Sequence, residues 1–542
     1  MNKTLNLFFT IVLGVISTLA QASEKPNILF ILSDDMRWDS FGYMDKFDLQ
    51  TPNLDQLAQK SVHFTRSYNT TAICMGSRAQ YSSGLYEFST GTNFAHGSMS
   101  PDLWQQTYHH VLKQNGYYTG MLGKLGFHVL ETSGKKGNAD MVRPSFDYWG
   151  AWLGQGKYEI TENPDADAWF ENFGGKEEHT THALGLMAED FLQKAAAQDK
   201  PFVLQVSFKA PHGPYAVDPR YKHIYANAEF PKPEDYGLDP NAPKQALSGR
   251  PQRLGEAWLS NYDKQMAGYH GLVYGMDMAV GRILDMLEEQ GLADNTIVIF
   301  AGDNGHQNGS KGYSGKLYAY DASTRSPTFI YDPRSPVSGD FNTSTVLTGN
   351  IDIAPTILDY AGVDAPEKVQ GKSLAPIMAT IEAGKTPKDT ALHDSLLLIS
   401  VWGTPSAQSL GVVTPEAKYI HWFYGGMKGF DRAEELFLIN LDPLESHSVT
   451  QDAASAELLE ELRAKYDQWM VRWEEEGWEA PETFDKKSKD HGYRKYVRLA
   501  DRNTPFENND PAELADMWGG SGDGTLNKKK KNKKNKSKET EK

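Results

Sequence analysis

Residues 26–35 read PNILFILSDD, an apolar run that ends in the polar side chains of Ser33, Asp34 and Asp35. A continuous run of Ile, Leu and Phe is typical of a parallel strand that helices cover on both faces. The run therefore predicts a buried strand from Asn27 to Leu32, with two carboxylates at its carboxyl end.

Three later apolar runs also end in polar or ionisable side chains. These are Tyr117 to Leu122 with Lys124, Phe202 to Phe208 with Lys209 and His212, and Thr296 to Phe300 with Asp303 and Asn304. Ligands of open α/β sheets bind at the carboxyl ends of the strands. Four such groups therefore predict one functional site along a sheet edge.

Helical patterns lie between and after these strands. Apolar residues recur at helical spacing from Met276 to Leu287, and Gly291 follows as a stop signal. From about Asp389 the pattern changes to short segments such as Tyr419 to Tyr424, followed by a helical stretch from Ala456 to Trp473. We therefore predict a larger α/β domain over residues 23–388, which carries the predicted site, and a smaller sheet-and-helix (α+β) domain over residues 389–510.

The two ends of the chain differ from these domains. Met1-Asn2-Lys3, an apolar run from Leu7 to Leu19 and the site Ala20-Gln21-Ala22 have the layout of a secretory signal peptide over residues 1–22. The apolar run is too short for a comfortable membrane anchor, and no later stretch approaches transmembrane length. We expect residues 511–542, which end in a run rich in Lys and Asn, to be a disordered basic tail. The protein is therefore predicted to be exported, periplasmic or secreted, without membrane insertion.

Composition excludes several classes of function. Hydrophobic residues make up 39% of the chain and aromatic residues 11%, as in an ordinary globular protein. The formal net charge of -16 argues against nucleic acid as a partner. The chain has one cysteine, Cys74, so it forms no internal disulfide. A lone cysteine is usually a small core residue, so its neighbours must decide its role.

Four of the residues at the strand ends suit a hard metal ion. Asp34, Asp35, Asp303 and Asn304 offer oxygen ligands, which suit calcium or magnesium, whereas zinc prefers His and Cys. Either pair alone would more often cap a helix or a turn. Because two strands bring such pairs to one edge, we predict a single metal ion, assigned to calcium.

The segment from Cys74 to Gly84, CMGSRAQYSSG, resembles the signature of type I sulfatases of the alkaline phosphatase superfamily. In that family the cysteine is oxidised to formylglycine by a maturation enzyme, and its hydrated aldehyde is the nucleophile. Gly76 stands where the family usually has Pro or Ala. Further blocks resemble the family, and they are Pro26 to Asp35, Ser207 to Pro214, Asn295 to Gly305, Gly315 to Pro327 and Glu435 to Glu445.

The resemblance implies a fold and a set of site residues. The fold would be a large mixed, mostly parallel sheet between helices, alkaline-phosphatase-like, with the smaller C-terminal α+β domain. Arg78 would orient the formylglycine, Lys124 and Lys316 would hold the sulfate oxygens, and His212 would protonate the leaving alcohol. The candidates for additional substrate contacts are His306 and Arg325. A helix from Ser77 to Tyr86 would direct its positive end at the anion.

One position departs from the family pattern. The family usually has His two residues after the lysine, where it helps to break the sulfated intermediate, and here that residue is Gly126. His128 lies two residues further on and is the first candidate to replace it. An ordinary loop histidine is the alternative interpretation. His306, just after Asp303 and Asn304, is a second candidate, although contact with substrate is the preferred interpretation for it.

The expected activity is hydrolysis of sulfate esters on a sulfated polysaccharide or its oligosaccharides. Export and the aromatic segment from Tyr148 to Trp152 favour such a substrate, although aromatic residues more often pack in a core. One alternative is a phosphodiesterase or phosphonate hydrolase of the same superfamily. Another is an inactive polysaccharide-binding protein in which Cys74 never matures. The sequence leaves the oligomeric state open.

Overall fold

A computed structural model describes residues 25–94, 97–132, 137–237, 242–243, 260–382, 392–401, 408–423, 432–479 and 500–502. The predicted signal peptide and the basic tail lie outside these residues, as does the predicted boundary at 388/389. All three therefore stay predictions. Within the described residues, no helix is both long enough and apolar enough to span a membrane.

The strands of the described residues fall into a large sheet, a short pair and a C-terminal sheet. Their bounds are β1 Asn27–Asp34, β2 Val62–Phe64, β3 Ser67–Tyr68, β4 Tyr118–Lys124, β5 Tyr148–Trp152, β6 Phe202–Pro211, β7 Thr296–Gly302, β8 Thr328–Tyr331, β9 Asn342–Ser344, β10 Thr348–Gly349, β11 Leu396–Ser400, β12 Ser409–Val413, β13 Lys418–Trp422 and β14 Ala433–Phe437.

Helices of different lengths connect these strands. The α-helices of the described residues are α1 Pro52–Gln59, α2 Cys74–Ser83, α3 Glu87–Thr90, α4 Pro101–Trp104, α5 Tyr108–Gln114, α6 Asp167–Phe173, α7 Thr180–Ala196, α8 Tyr262–Glu289, α9 Asp321–Thr324, α10 Ile353–Tyr360, α11 Ala375–Glu382 and α12 Ala456–Glu476.

The large sheet has the order β5-β4-β6-β1-β7-β8-β2-β9. Strands β5, β4, β6, β1 and β7 are parallel to one another, whereas β8 is antiparallel to both β7 and β2. The predicted mixed, mostly parallel sheet is therefore confirmed. All four apolar runs identified in the sequence are adjacent in it, with β1 near the centre.

Helices cover both faces of this sheet. Leu29 and Ile31 of β1 pack in one buried cluster with side chains of α1, α7 and α8. Ile28, Phe30 and Leu32 point to the other face and pack with side chains of α2, α5 and α10. A strand buried on both faces has apolar residues at successive positions, which explains the unbroken run.

The C-terminal sheet is antiparallel, in the order β11-β12-β13-β14, and α12 packs against it. It meets the first domain through a buried ion network. The Lys418 amine of β13 donates to the Ala319 carbonyl at 2.9 Å and forms ion pairs with Asp321 and with Glu445, the latter at 2.5 Å. The backbone amide of Asp321 also donates to Glu445 at 2.7 Å. These contacts anchor the segment that follows Lys316.

We expect Lys418→Met to lower the free energy of unfolding by about 3–5 kcal/mol, because the carboxylates of Asp321 and Glu445 stay buried while their shared cation is removed. Denaturant unfolding measures the change. Lys465→Met is the matched control, since Lys465 and Glu461 form a partly exposed ion pair at 3.8 Å on α12. Loss of such a surface pair costs up to about 1 kcal/mol. Equal losses in the two variants would contradict the proposed importance of the buried network.

Candidate active site

The site lies where β4, β6, β1 and β7 end side by side. Ser33 of β1 pairs with Gly302 of β7, and Asp34 pairs with Pro211 of β6. On the other side of β6, Gly123 of β4 pairs with Ser207. The residues that follow these positions therefore meet at one edge, as predicted from the four polar groups.

Cys74 is the first residue of α2, and all ten residues of this helix are buried. The predicted helix from Ser77 to Tyr86 therefore begins three residues earlier and ends at Ser83. The Cys74 thiol donates to Asp34 Oδ1 at 3.3 Å and accepts from the Lys316 amine at 2.8 Å. Because the helix N-terminus carries partial positive charge, an anion beside residue 74 would be stabilised there.

Arg78, one turn along the same helix, binds the ends of four strands. Its guanidinium donates to Asp303 at 2.7 Å, to the Lys124 carbonyl at 2.5 Å and to the Phe208 carbonyl at 3.3 Å. It also lies 3.5 Å from Asp34 Oδ2. One buried cation therefore fixes the position of α2 relative to β7, β4, β6 and β1.

Two lysines beside Asp34 and Asp35 also contribute positive charge to the site. The Lys124 amine donates to Asp34 Oδ2 at 2.5 Å and to Gln155 Oε1 at 2.8 Å. The Lys316 amine forms an ion pair with Asp35 and lies 3.9 Å from Asp34 Oδ1. Both amines therefore belong to the cluster around Cys74.

The backbone of Asp35 is held in an unusual conformation. Its φ is +67°, a left-handed value that non-glycine residues rarely adopt. Its amide donates to Asp303 Oδ1 at 3.2 Å, and its carbonyl accepts from the Tyr269 hydroxyl at 2.8 Å. These bonds place the carboxylates of two consecutive aspartates in the same cluster.

Four oxygen-bearing side chains of this cluster could hold a cation. Asn304 Nδ2 donates to Asp35 Oδ1 at 2.7 Å, whereas the buried Asn304 Oδ1 has no hydrogen-bond partner among the described residues. An unpaired buried acceptor beside Asp34, Asp35 and Asp303 fits a cation with oxygen ligands. A nitrogen of His212 and the Cys74 sulfur also lie within 4.8 Å of the carboxylate oxygens of Asp34 and Asp35.

Burial shapes the protonation of the cluster. Burial raises the pKa of the Cys74 thiol to about 11 and the pKa of Asp303 to about 6. Burial acts in the same direction on Asp34, but the surrounding cations, Lys124 foremost, hold the pKa of Asp34 well below its usual value. The unmodified thiol is therefore protonated near neutral pH and is a poor nucleophile.

His212 faces the cluster from the loop after β6. Its Nε2 lies 3.7 Å from Asp35 Oδ2, and its Nδ1 lies 2.5 Å from the Gly213 carbonyl. The Tyr158 hydroxyl donates to the His212 carbonyl at 2.6 Å. The side chain is about one-quarter exposed, so a substrate can reach it.

Other predicted site residues have different surroundings. The Met99 amide donates to the His128 carbonyl at 2.9 Å. Burial lowers the pKa of the His128 ring, whereas the Gly137 backbone and Asp165 act in the opposite direction. His306 Nδ1 lies 2.6 Å from Asn308 Oδ1. Burial lowers the pKa of the His306 ring to about 4, and the charge of Asp35 acts in the opposite direction. The described contacts of His128 thus do not include the Cys74 cluster, and its catalytic role stays a prediction.

Arg325 is held beside a tryptophan. Its guanidinium carbon lies 3.8 Å from the centre of the Trp38 ring and its Nη1 lies 3.8 Å from Asp321. These are its described contacts with side chains. Its role in substrate binding therefore also stays a prediction.

Gly126 has a structural explanation. Its φ is +91°, and a Cβ atom at this position would lie 2.5 Å from Cδ of Arg78. A histidine here would therefore displace the arginine that joins the four strand ends.

Sequence reasoning left two contacts of the site unassigned. Gln155 accepts from Lys124, and the buried Lys209 lies over the Tyr158 ring at 5.3 Å. The sequence places Lys209 only in the polar group that follows the apolar run of β6, and it assigns no role to it. In contrast, Trp149 and Trp152 are at most 7% exposed, so these two tryptophans pack in the interior and are not an open sugar platform.

Comparison with known proteins identifies the family of this chain. The sulfatase family profile matches residues 26–363, more than half of the chain. A second profile, described as the C-terminal part of N-sulphoglucosamine sulphohydrolase, matches residues 309–472. The chain is also 27% identical over 517 residues to an N-acetylglucosamine-6-O-sulfatase of Bacteroides thetaiotaomicron, which covers 82% of this chain and 88% of the relative.

Solved structures share the fold. One, of a protein in complex with its substrate D-glucosamine-2-N,6-O-disulfate, has a TM-score of 0.66 at 24% identity and covers 83% of this chain and 99% of that protein. The phosphonate monoester hydrolase of Agrobacterium radiobacter has a TM-score of 0.62 at 20% identity, covering 83% and 95%. With the family match, these findings confirm the resemblance: the chain belongs to the sulfatase family of the alkaline phosphatase superfamily and is a sulfuric ester hydrolase.

Proposed function

We propose that this sulfatase hydrolyses sulfate esters of a polysaccharide or its oligosaccharides, using a formylglycine made from Cys74 and one bound calcium ion. The observation that carries the proposal is the position of Cys74. It lies at a helix N-terminus, 2.8 Å from the Lys316 amine and 3.3 Å from an Asp34 oxygen. Oxidised and hydrated, residue 74 supplies the nucleophilic hydroxyl that the thiol lacks.

The residues around it match the charge of a sulfate ester. Lys124 and Lys316 hold the sulfate oxygens, because their amines flank Asp34 and Cys74. Arg78 keeps residue 74 in place through its bonds to four strand ends. His212 donates a proton to the leaving alcohol. Fixed cations of this kind stabilise the charge that develops during the transfer.

Glucosamine sulfates are the first carbohydrates to test. The relative from Bacteroides thetaiotaomicron is an N-acetylglucosamine-6-O-sulfatase, and the C-terminal profile is that of an N-sulphoglucosamine sulphohydrolase. The substrate in the solved structure with a TM-score of 0.66 is a disulfated glucosamine.

We also propose that the protein is exported, because its first 22 residues have the layout of a signal peptide.

Calcium would be held by Asp34, Asp35, Asp303 and Asn304. Three carboxylates and an amide give an oxygen-rich set, which fits calcium better than zinc. The unpaired Asn304 Oδ1 supports this choice. When bound, the ion supplies a fixed double positive charge beside residue 74.

We expect chelation to lower the thermal unfolding midpoint, because a ligand that binds only the folded state stabilises it, by about 2.7 kcal/mol at a hundredfold excess over Kd. Calorimetry before and after calcium is restored checks this, together with metal analysis. Stoichiometric zinc, or an unfolding midpoint that chelation leaves unchanged, would contradict the assignment. Asn304→Leu should weaken the response to calcium, because it removes the unpaired oxygen.

The function is tested with matched esters of one alcohol. Sulfate, phosphate and phosphonate esters of the same leaving group are compared, followed by glucosamine oligosaccharides sulfated at single positions. Preference for the sulfate ester supports the proposal, whereas preference for a phosphate or phosphonate ester would favour the alternative that shares this fold. A protein that binds the oligosaccharides but keeps Cys74 unmodified would be the inactive binder.

A further inference from the structure

Lys209 occupies a central place between the strands of the site. It lies in β6, two residues after Ser207, which pairs with Leu32 of β1 and Gly123 of β4. It also stands two residues before Pro211, which pairs with Asp34. The backbone of Lys209 is therefore flanked by the strand ends that carry Asp34 and Lys124.

The amine of Lys209 is buried without a carboxylate partner. The residue is 4% exposed, and among the described residues no carboxylate oxygen lies within 4.0 Å of its amine. Its described neighbour is the Tyr158 ring, at 5.3 Å. The Tyr158 hydroxyl donates to the carbonyls of Lys209 and His212, which holds the ring in place.

The other two lysines of the cluster differ in this respect. Lys124 is paired with Asp34, and Lys316 with Asp35. Arg78 is paired with Asp303, so three carboxylates of the site match three cations. Lys209 is the additional positive charge. A buried ammonium without an anion is costly, and an anionic ligand would remove that cost.

The electrostatic environment relates Lys209 to the same cluster. Burial lowers the pKa of its amine, and the charge of Lys124 acts in the same direction. The charges of Asp34, Asp35 and Cys74 act in the opposite direction. In the proposed function, these same side chains surround the sulfate ester of the bound substrate. An anion bound there would interact with Lys209 as well.

We propose that Lys209 is a further catalytic residue, whose amine binds an oxygen of the substrate's sulfate group. The inference rests on the proposed function, because it takes the anion beside residue 74 to be the sulfate of the substrate. Because no carboxylate oxygen of the described residues lies within 4.0 Å of the Lys209 amine, its N–H groups can be directed at the anion. A charge-assisted hydrogen bond of this kind is short and strong.

The test measures binding of inorganic sulfate to the matured, calcium-loaded protein by calorimetry, together with kcat/KM on a sulfate ester. Lys209→Met removes the amine and keeps the length of the side chain. We expect the Kd for sulfate to rise by about 10- to 100-fold, the range for a hydrogen bond to a charged group, and kcat/KM to fall in parallel. Lys209→Arg should recover part of the affinity, because it restores a cation.

Lys157→Met is the matched control, since Lys157 is exposed and lies next to Tyr158. Its sulfate affinity should equal that of the unchanged protein. Lys209→Gln serves as a second uncharged variant should Lys209→Met not fold. Unchanged sulfate affinity and kcat/KM in the folded uncharged variant would overturn the inference. Failure of the proposed function is a separate result, because the unchanged protein would then not hydrolyse sulfate esters.

Discussion

Cys74→Ser is expected to abolish hydrolysis of sulfate esters, with kcat reduced by about 10⁴-fold or more, as for other nucleophile removals. The substitution replaces a buried sulfur by an oxygen that can still accept from Lys316 and donate to Asp34. It therefore removes the thiol from which we propose that formylglycine forms, while it keeps the packing of α2. The thermal unfolding midpoint should stay close to that of the unchanged protein.

The matched control is the unchanged sequence produced without a maturation system. It should have the unmodified mass at the peptide that contains residue 74, and it should be as inactive as Cys74→Ser. Protein produced with the maturation system should instead carry an aldehyde at this residue and be active. Full activity in a preparation that carries only the thiol would remove formylglycine from the mechanism.

The sequence predicted the strands that lead to the site, but not where they end. Strands β1 and β7 each continue two residues beyond their apolar runs, and β6 continues three residues to Pro211. The additional residues are polar, small or ionisable, and they join the sheet because neighbouring strands pair with them. Periodicity detects burial, whereas strand length also depends on the partner strands.

Other elements of the fold needed the tertiary structure. Strands β2, β8 and β9 are three or four residues long, and β8 makes the sheet mixed. Helix α8 begins at Tyr262, fourteen residues before the predicted start at Met276. Gly268 and Gly271 interrupt the apolar pattern there, and Cβ atoms at these positions would lie under 3.0 Å from Tyr215 and Val217. The glycines allow this close approach.

The site was predictable where its residues lie in recognisable blocks. Cys74, Arg78, Lys124, His212 and Lys316 meet in one cluster with the four candidate oxygen ligands, and the roles of all these residues stay proposals. Lys209 could not be assigned, because the absence of a carboxylate near a buried amine is a property of the folded chain. The position of Arg325 over Trp38 likewise depends on a contact between distant segments.

The second large effect is expected at His212. Its Nδ1 faces the Gly213 carbonyl, so this nitrogen is assigned as the donor and Nε2 is directed at the cluster. A protonated Nε2 beside the leaving oxygen would act as the general acid. His212→Ala should therefore lower kcat/KM for an alkyl or sugar sulfate by about 10²–10⁴-fold.

The loss should be much smaller for a nitrophenyl sulfate, because the departing nitrophenolate scarcely needs a proton. Comparing kcat/KM for the two leaving groups, in the unchanged protein and in His212→Ala, therefore isolates proton donation from a loss of binding or folding. His223→Ala is the control, since His223 is exposed in the segment that follows β6 and should affect neither substrate. Were His212→Ala to reduce both rates by the same factor, His212 would bind the sulfate group and another residue would supply the proton.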